Sequence, residues 1–567
     1  MRRYASIDFL RGFAIWLMIL LHSLMRVYDR SWSEDMDLLE QLPLIYMILM
    51  LIILFLAGWA GFFLLISSIG NTLSMQKALK RGDSVLSVVS KQVLLGFLLL
   101  LCALFIESIG GYHSMLGNLV SGQSISASLL YRAFHFETIH TIAYAMMING
   151  LIGGLLAINE GYKKDKRNIF INLALAVVVI IIAVIVYNVP TTYGGISTLQ
   201  EFGTIQQLNQ EPWGAGWDLK EFFIKVTVVP LIGQPEPLLP FLATALIGNV
   251  IGILMAREKP FHKEMKVGMA VGTLLTLGGM IGAFVLVGLG QQDLFELFLN
   301  AYQITYLTAW LPMYLFTLGT QLVATFLVIR LVEFRGRGQV FAKRTKYFRR
   351  HGFVALSIYA YQFLDVIPRW ILATFPCIPT PTGCANIVTE GALASKSLWG
   401  PWAFLVFVIN FALWYLILIL WEKVNYIGGY EWLINVLAGF FIKSRRTKVT
   451  KDGKDKYVWW KPQRLNVKAN FYDVDWINLV EETKVGPDSK SDSKLSLKIT
   501  AINLILNAFI FFLPISLFGL MIAFSARKTE GKNAMNTIAI VLGILGSVIF
   551  VTSIVVLSLI PIGVLGL

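Results

Sequence analysis

Two ionisable side chains stand in a largely apolar opening segment, Arg11 and His22, with ten residues between them. Eleven steps at about 100° per residue return to within roughly 20° of the start, so a helix here carries both on one face, roughly 16 Å apart along its axis. Hydrocarbon does not solvate ionisable groups, so at such depth they face a cavity or a partner. An imidazole there can act as a base, and a guanidinium nearer the surface can hold an anion. The plainer alternative has Arg11 reaching toward headgroups and pairing with Asp8, and His22 bonding a carbonyl of a neighbouring helix.

A second cluster lies in HFETIHTIAY: His135, Glu137 and His140. Glu137 and His140 are three apart, which a helix places on one side, and a carboxylate beside an imidazole raises its basicity. His135 fits a solvated helix start equally well. No tight metal-ligand spacing accompanies these residues, so no metal is expected. In QPEPLLPFLATALIG, Glu236 sits between prolines that favour an extended approach and then a helix start. Asp365 and Arg369, four apart, read as a structural ion pair. PWGAGW brings Trp213 and Trp217 into a long loop, either as a sugar-stacking surface or as ordinary interfacial tryptophan.

The elements that carry these residues are membrane helices. Across 567 residues, 56% are hydrophobic and 14% charged, with mean hydropathy +0.68, too apolar for a surface that faces water. The net charge of +14 is therefore a question of loop distribution rather than a sign of nucleic-acid binding. Apolar runs near 5–27, 43–72, 92–108, 136–159, 168–188, 238–256, 267–290, 304–332, 352–375 and 402–424 predict a ten-helix core. Cations concentrate at 77–91, 163–167, 257–266 and 335–350, whereas 28–42 is acidic. That asymmetry predicts a cytosolic amino terminus in a cell membrane.

The fold class expected is thus an all-α polytopic membrane protein. Its core spans 1–440, a basic and polar cytosolic linker spans 441–496, and a carboxy-terminal hairpin of two spanning helices occupies 497–567. The linker's Lys443–Lys461 run reads as a segment drawn to anionic headgroups. Cys102 lies in an apolar run and reads as packing, while Cys377 and Cys384 are expected to pair in an outer loop.

The motifs carry a resemblance as well. SIDFLRGFAIWLMILLHS resembles the first helix of the transmembrane acyltransferase superfamily, which includes heparan-alpha-glucosaminide N-acetyltransferase, the YeiB-like proteins and the acyltransferase-three family. Arg11 and His22 fall on the paired Arg and His of the last of these. GFFLLISSIGNTLSMQKALKRG is similar to the pattern FFxxSGFxxxxxxRR, with Ser68 on the glycine and Lys80 and Arg81 on the cations. HFETIHTIAYAMM resembles the fourth-helix GILHxIG or GVLQRLG motif with His140 on the His or Gln position, and QPEPLLPFLATALIG resembles DPEGLLxTLPAI, with Gln234 for Asp and Pro237 for Gly. RHGFVALSIYAYQF resembles GRMALTNYLLQS, with Gln362 on the amide, and GGYEWLINVL resembles GPLEWLWR. The likeness covers about 1–440, in the family's order; the 441–567 extension belongs to none of these patterns.

What the resemblance implies is transfer of an acyl group, chiefly acetyl from acetyl-CoA, to an amine or hydroxyl of an extracytoplasmic sugar or glycolipid. On that view Arg11, Lys80 and Arg81 hold the CoA phosphates, and His22 deprotonates the acceptor or carries the acyl group itself. Glu137 and His140 tune His22, and Glu236, Gln362, Trp213 and Trp217 contact substrate. Membrane lipid and a glycan acceptor are the expected partners, nucleic acid is not, and a homodimer is permitted. The rival reading from the same residues is a proton-coupled permease or flippase with His, Arg and Glu as a relay.

Overall fold

A computed structural model describes residues 4–27, 59, 61–122, 124–134, 136–188, 229–232, 236–257, 261–292, 309–334, 338–374, 378–380, 383–385, 400–441, 445–449, 455–459, 490–508, 515–557 and 559. The described chain is helical apart from two short antiparallel hairpins. Among the described residues nine helices are long and apolar enough to cross a membrane. Their outward faces fit that solvent: on the helix Asp165–Asn188, Phe170 is 71% exposed and Val177, Ile181 and Ile185 are each more than half exposed. Water would penalise such a surface; lipid does not. The architecture is that of a multi-pass membrane protein.

The described helices form two compact units. The first contains α1 (Ala5–Val27), α2 (Gly61–Lys80), α3 (Val85–Phe105), α4 (Thr138–Ala157), α5 (Asp165–Asn188), α6 (Leu238–Met255), α7 (His262–Gly288) and α8 (Trp310–Val332). Of the expected run 43–72, only the part from Gly61 onward and Trp59 lie within the described residues. Neighbours pack α2 with α6, α3 with α4, α5 with α6 and α7 with α8. Polar side chains lock some of these contacts: Thr72 donates to Asn249 at 2.7 Å, and Asn249 to Asn172 at 3.1 Å. In a bundle without water, such bonds replace the hydrophobic force as glue.

The run 352–375, expected as one helix, is broken. It comprises the end of α9 (Lys346–Phe353), then α10 (Ala355–Ala360), a 3-10 turn Tyr361–Asp365 and α11 (Val366–Ala373). Pro368 within the run disfavours a continuous helix, and another element contributes as well. After α12 (Gly400–Lys423), the helix α13 (Tyr430–Phe441) presents Glu431, whose Oε1 accepts from the backbone N–H of Leu356 at 2.6 Å and whose other oxygen accepts from Ser357 Oγ. A carboxylate on the first amides of α10 makes a helix start there favourable. Asp365 and Arg369 do form an ion pair, at 3.5 Å and buried.

The linker contains a hairpin, β3 (Arg445–Val449) against β4 (Asp455–Trp459), following β1 (Ile378–Thr380) and β2 (Gly383–Ala385). Cys384 lies in β2, but Cys377 falls outside the described residues, and with it the expected disulfide. Cys102 is a buried free thiol.

The second unit holds α14 (Ser491–Ala508), α15 (Ile515–Thr529) and α16 (Ala534–Leu557), each packed on the other two. Three helices therefore stand where a hairpin of two was expected. The sequence of the run 497–525 supplies a physical reason, since it contains a proline, whose ring and missing N–H disfavour a helix interior.

Candidate functional site

A cavity of about 400 Å³ runs along α1 inside the first unit. Arg11 and His22 both line it, with Ala14, Ile15, Met18 and Leu21 between them on the same face. The eleven-residue spacing thus translates into two polar groups sharing one largely apolar chamber, whose other walls come from α2, α3, α4, α10 and α13.

The Arg11 end is set by backbone contact between helices. A Cβ added to Gly12 would lie 1.7 Å from the carbonyl oxygen of Phe348, and one on Gly352 would lie 2.5 Å from that of Asp8, so α1 and α9 cross where neither has a side chain. Beside the crossing, Asp8 pairs with the buried Arg349 at 3.2 Å. The Arg11 guanidinium reaches α2, where a Cβ on Gly70 would come within 3.0 Å of Nη2, and Ser67 and Asn71 of α2 share the cavity wall. The start of α1 is held from α8: Glu333 Oε1 accepts from Ser6 N at 3.0 Å and Ser6 Oγ at 2.6 Å.

At the other end, His22 Nδ1 lies 2.6 Å from Gln362 Oε1. With the amide oxygen as acceptor, Nδ1 donates this bond, and in the neutral ring that leaves the lone pair on Nε2, the form a general base requires. Tyr112 packs on the imidazole with ring centroids 4.9 Å apart, and Tyr359 stands edge-on at 6.3 Å. Gln362, expected to contact substrate, is brought to His22.

The other expected residues separate. Glu137 is the N-cap residue of α4 and lines the cavity, whereas His140 is buried and turns Nε2 to the carbonyl of Ala133 at 3.2 Å. Their three-residue spacing does not place both on the cavity face, and His135 lies outside the described residues. Glu236 is buried behind Glu137: its carbonyl accepts from Thr141 Oγ1. It lies just before the span of α6, and burial pushes its carboxyl up to about 8, with the Glu137 charge adding and a hydrogen bond to Thr138 opposing. Lys80 donates to the Ala256 carbonyl at the end of α6, and Arg81 pairs with Asp83 at 3.5 Å on the surface; neither lines the cavity. Trp213 and Trp217 fall outside the described residues. Among those described, no group of three His, Cys, Asp or Glu has a metal-site arrangement.

Sequence reading passed over Glu107, Tyr112, Tyr359 and Glu431. The signal for Glu107 was present, a single carboxylate closing the apolar run 92–108, and an ionisable residue in such a run is a functional hypothesis by default. The sequence matches no family model and no curated protein.

Proposed function

We propose that the protein is a membrane-embedded acyltransferase that moves an acyl group, chiefly acetyl, from cytosolic acyl-CoA to an amine or hydroxyl of an extracytoplasmic sugar or glycolipid. The observation that supports this reading is one cavity onto which Arg11 and His22 both open, with His22 Nδ1 against the Gln362 amide oxygen, an arrangement that suits a neutral ring with a basic Nε2. Arg11 binds the CoA phosphates from the cytosolic side, the orientation favoured by the cation-rich loops, and the thioester arm extends toward His22. Lys80 and Arg81, outside the cavity, are positioned to steer the polyanion rather than to grip it. His22 Nε2 takes the acceptor proton as the acceptor lone pair attacks the thioester carbonyl. The C–S bond then breaks, its electron pair leaves with the CoA thiolate, and proton transfer yields the free thiol.

A proton-coupled permease uses the same buried groups, and Glu137 in the cavity is the feature that favours it. Purified protein in lipid nanodiscs, incubated with radiolabelled acetyl-CoA and total membrane glycolipid, separates the two. Labelled glycolipid and stoichiometric free CoA are expected. Intact thioester and unmodified glycolipid would overturn the enzyme reading.

A further inference from the structure

Behind the aromatic wall of His22 lies a distortion that serves no obvious packing need. The apolar sequence of α3 would extend as an ordinary helix, yet at Ile106–Gly110 it widens into a π turn. One extra residue in a turn rotates the chain beyond it by about 100° and re-aims its side chains, which is why such turns gather at functional sites. The re-aimed residue is Glu107, 2% exposed. Its Oε1 accepts a hydrogen bond from Tyr359 Oη at 2.7 Å. The carbonyls disturbed nearby are satisfied by hydroxyls: Ser108 Oγ donates to Leu104 O and Ser114 Oγ to Ile109 O, both at 2.7 Å. The distortion is therefore compensated in place.

Two chain segments meet at His22 as a result. From the π turn, Tyr112 packs on the imidazole and meets Tyr359 edge-to-face at 5.6 Å and 88°. From the broken segment, Tyr359 forms cavity wall and Gln362, three residues on, holds Nδ1. We propose that Glu107 is a positioning residue for His22: by holding the Tyr359 hydroxyl from behind, it fixes the two tyrosine rings and the Tyr359–Gln362 segment that set the imidazole's orientation and tautomer. Glu107 itself does not line the cavity and touches no reacting atom. A carboxyl group suits the task because a phenol buried among apolar groups needs an acceptor, and its carbonyl oxygen supplies one.

The kinetic consequence rests on the acyl-transfer reading; the structural one does not, and the experiment has an arm for each. Full-length protein labelled with ¹⁵N-histidine in lipid bilayers gives the tautomer of His22 by solid-state NMR, its signal assigned from a His22→Gln sample. Wild type is expected to show one species protonated at Nδ1. Tyr359→Phe, which keeps the ring, and Glu107→Ala are each expected to show mixed tautomers, while Glu107→Gln, which keeps an acceptor oxygen, restores the single species. In the transfer assay the first two variants lose about 10- to 100-fold in kcat, the scale of a misplacement of about 1 Å, with the KM for acetyl-CoA unchanged. The double variant is no worse than either single one, since both remove the same bond. A single Nδ1–H tautomer in Glu107→Ala, or failure of Glu107→Gln to restore it, overturns the proposal. Absence of transfer by wild type would defeat the acyl-transfer reading alone, with the NMR comparison still deciding the role of Glu107.

Discussion

The two units bury polar groups in different ways. In the carboxy-terminal unit, Glu530 at the end of α15 is 1% exposed, and both its oxygens are taken: Oε1 by Asp492 N at 2.7 Å, Oε2 by Ser493 N at 3.0 Å and Ser493 Oγ at 2.6 Å. Ser496 and Thr500 return their hydroxyls to carbonyls three and four residues back along α14. Every one of these bonds ends on the helices themselves. The core repeats the device with Glu333 on Ser6 and Glu431 on the start of α10, but there Arg11, His22, Glu137, Tyr359 and Glu431 itself also line a cavity. Burial of a charge thus marks architecture as readily as chemistry. What distinguishes the candidate site is polar groups facing unfilled volume, held by partners on their far sides.

The largest effect tests the cavity side of that contrast. His22→Ala is expected to cost about 10²–10⁴ in transfer rate, the usual contribution of a general base, while leaving acetyl-CoA binding intact. Arg11→Ala is expected to do the reverse, weakening binding first, with Arg11→Lys retaining part of it because a point charge still meets the phosphates. Titration of labelled acetyl-CoA alongside single-turnover rates reads both. Wild-type turnover by a folded His22→Ala protein would reduce His22 to a structural residue and erase the difference between the units.

Next comes the crossing that sets the site. Gly12→Ala puts a methyl carbon where a backbone oxygen stands 1.7 Å away, so α1 and α9 must separate. Overpacking of this kind costs about 3 kcal/mol or more when the obstacle is main chain. A clear fall in the unfolding midpoint, with weakened acetyl-CoA binding, is expected; unchanged values for both would show that the crossing is not what places Arg11.

On the architectural side, Glu530→Ala leaves two amides and a hydroxyl at the start of α14 without their acceptor, a loss of about 1–3 kcal/mol. Hydrogen exchange within 491–508 should quicken while transfer stays at the wild-type rate. A drop in transfer would give the carboxy-terminal unit a part in the chemistry.

Much of this contrast was legible in the residues. Apolar run lengths gave most helices of the core within a few positions, and the spacing of Arg11 and His22 gave their common face because both depend only on helix geometry. The Asp365–Arg369 pair followed from the same rule. The breaks were legible only in part, through Pro514 in the carboxy-terminal run and Pro368 in the run 352–375. VALSIYAYQF contains neither Gly nor Pro, and its division depends on Glu431, about 75 residues away in sequence. Likewise the π turn is compensated by Ser108 and Ser114, whose hydroxyls read as ordinary loop-end residues. Glu137 and His140 parted because Glu137 is the N-cap residue, where backbone angles are no longer helical and an i, i+3 spacing does not fix a shared face. Local periodicity therefore reports which residues share a helix face, whereas the cavity is shaped by contacts from distant segments.

The smallest expected effect is the sharpest test of how finely the cavity is fitted. Gly70 and Gly278 are both interior helix glycines, but a Cβ on Gly70 meets the Arg11 guanidinium at 3.0 Å, whereas a Cβ on Gly278 meets nothing within 4 Å. Alanine at either position removes the same backbone freedom, so any difference between the two variants reports the neighbour rather than the helix. The neighbour of Gly70 is the end of a flexible side chain, which yields by a few tenths of an ångström instead of unfolding the site. Gly70→Ala is accordingly expected to raise stability by about 0.4–1 kcal/mol, as Gly278→Ala does, since neither disturbs backbone packing. Only Gly70→Ala should weaken acetyl-CoA binding, by roughly threefold, because moving a guanidinium off its phosphate lengthens a charge-assisted bond without breaking it. Equal affinities in the two variants would mean that Arg11 does not meet the donor from the position it occupies beside α2.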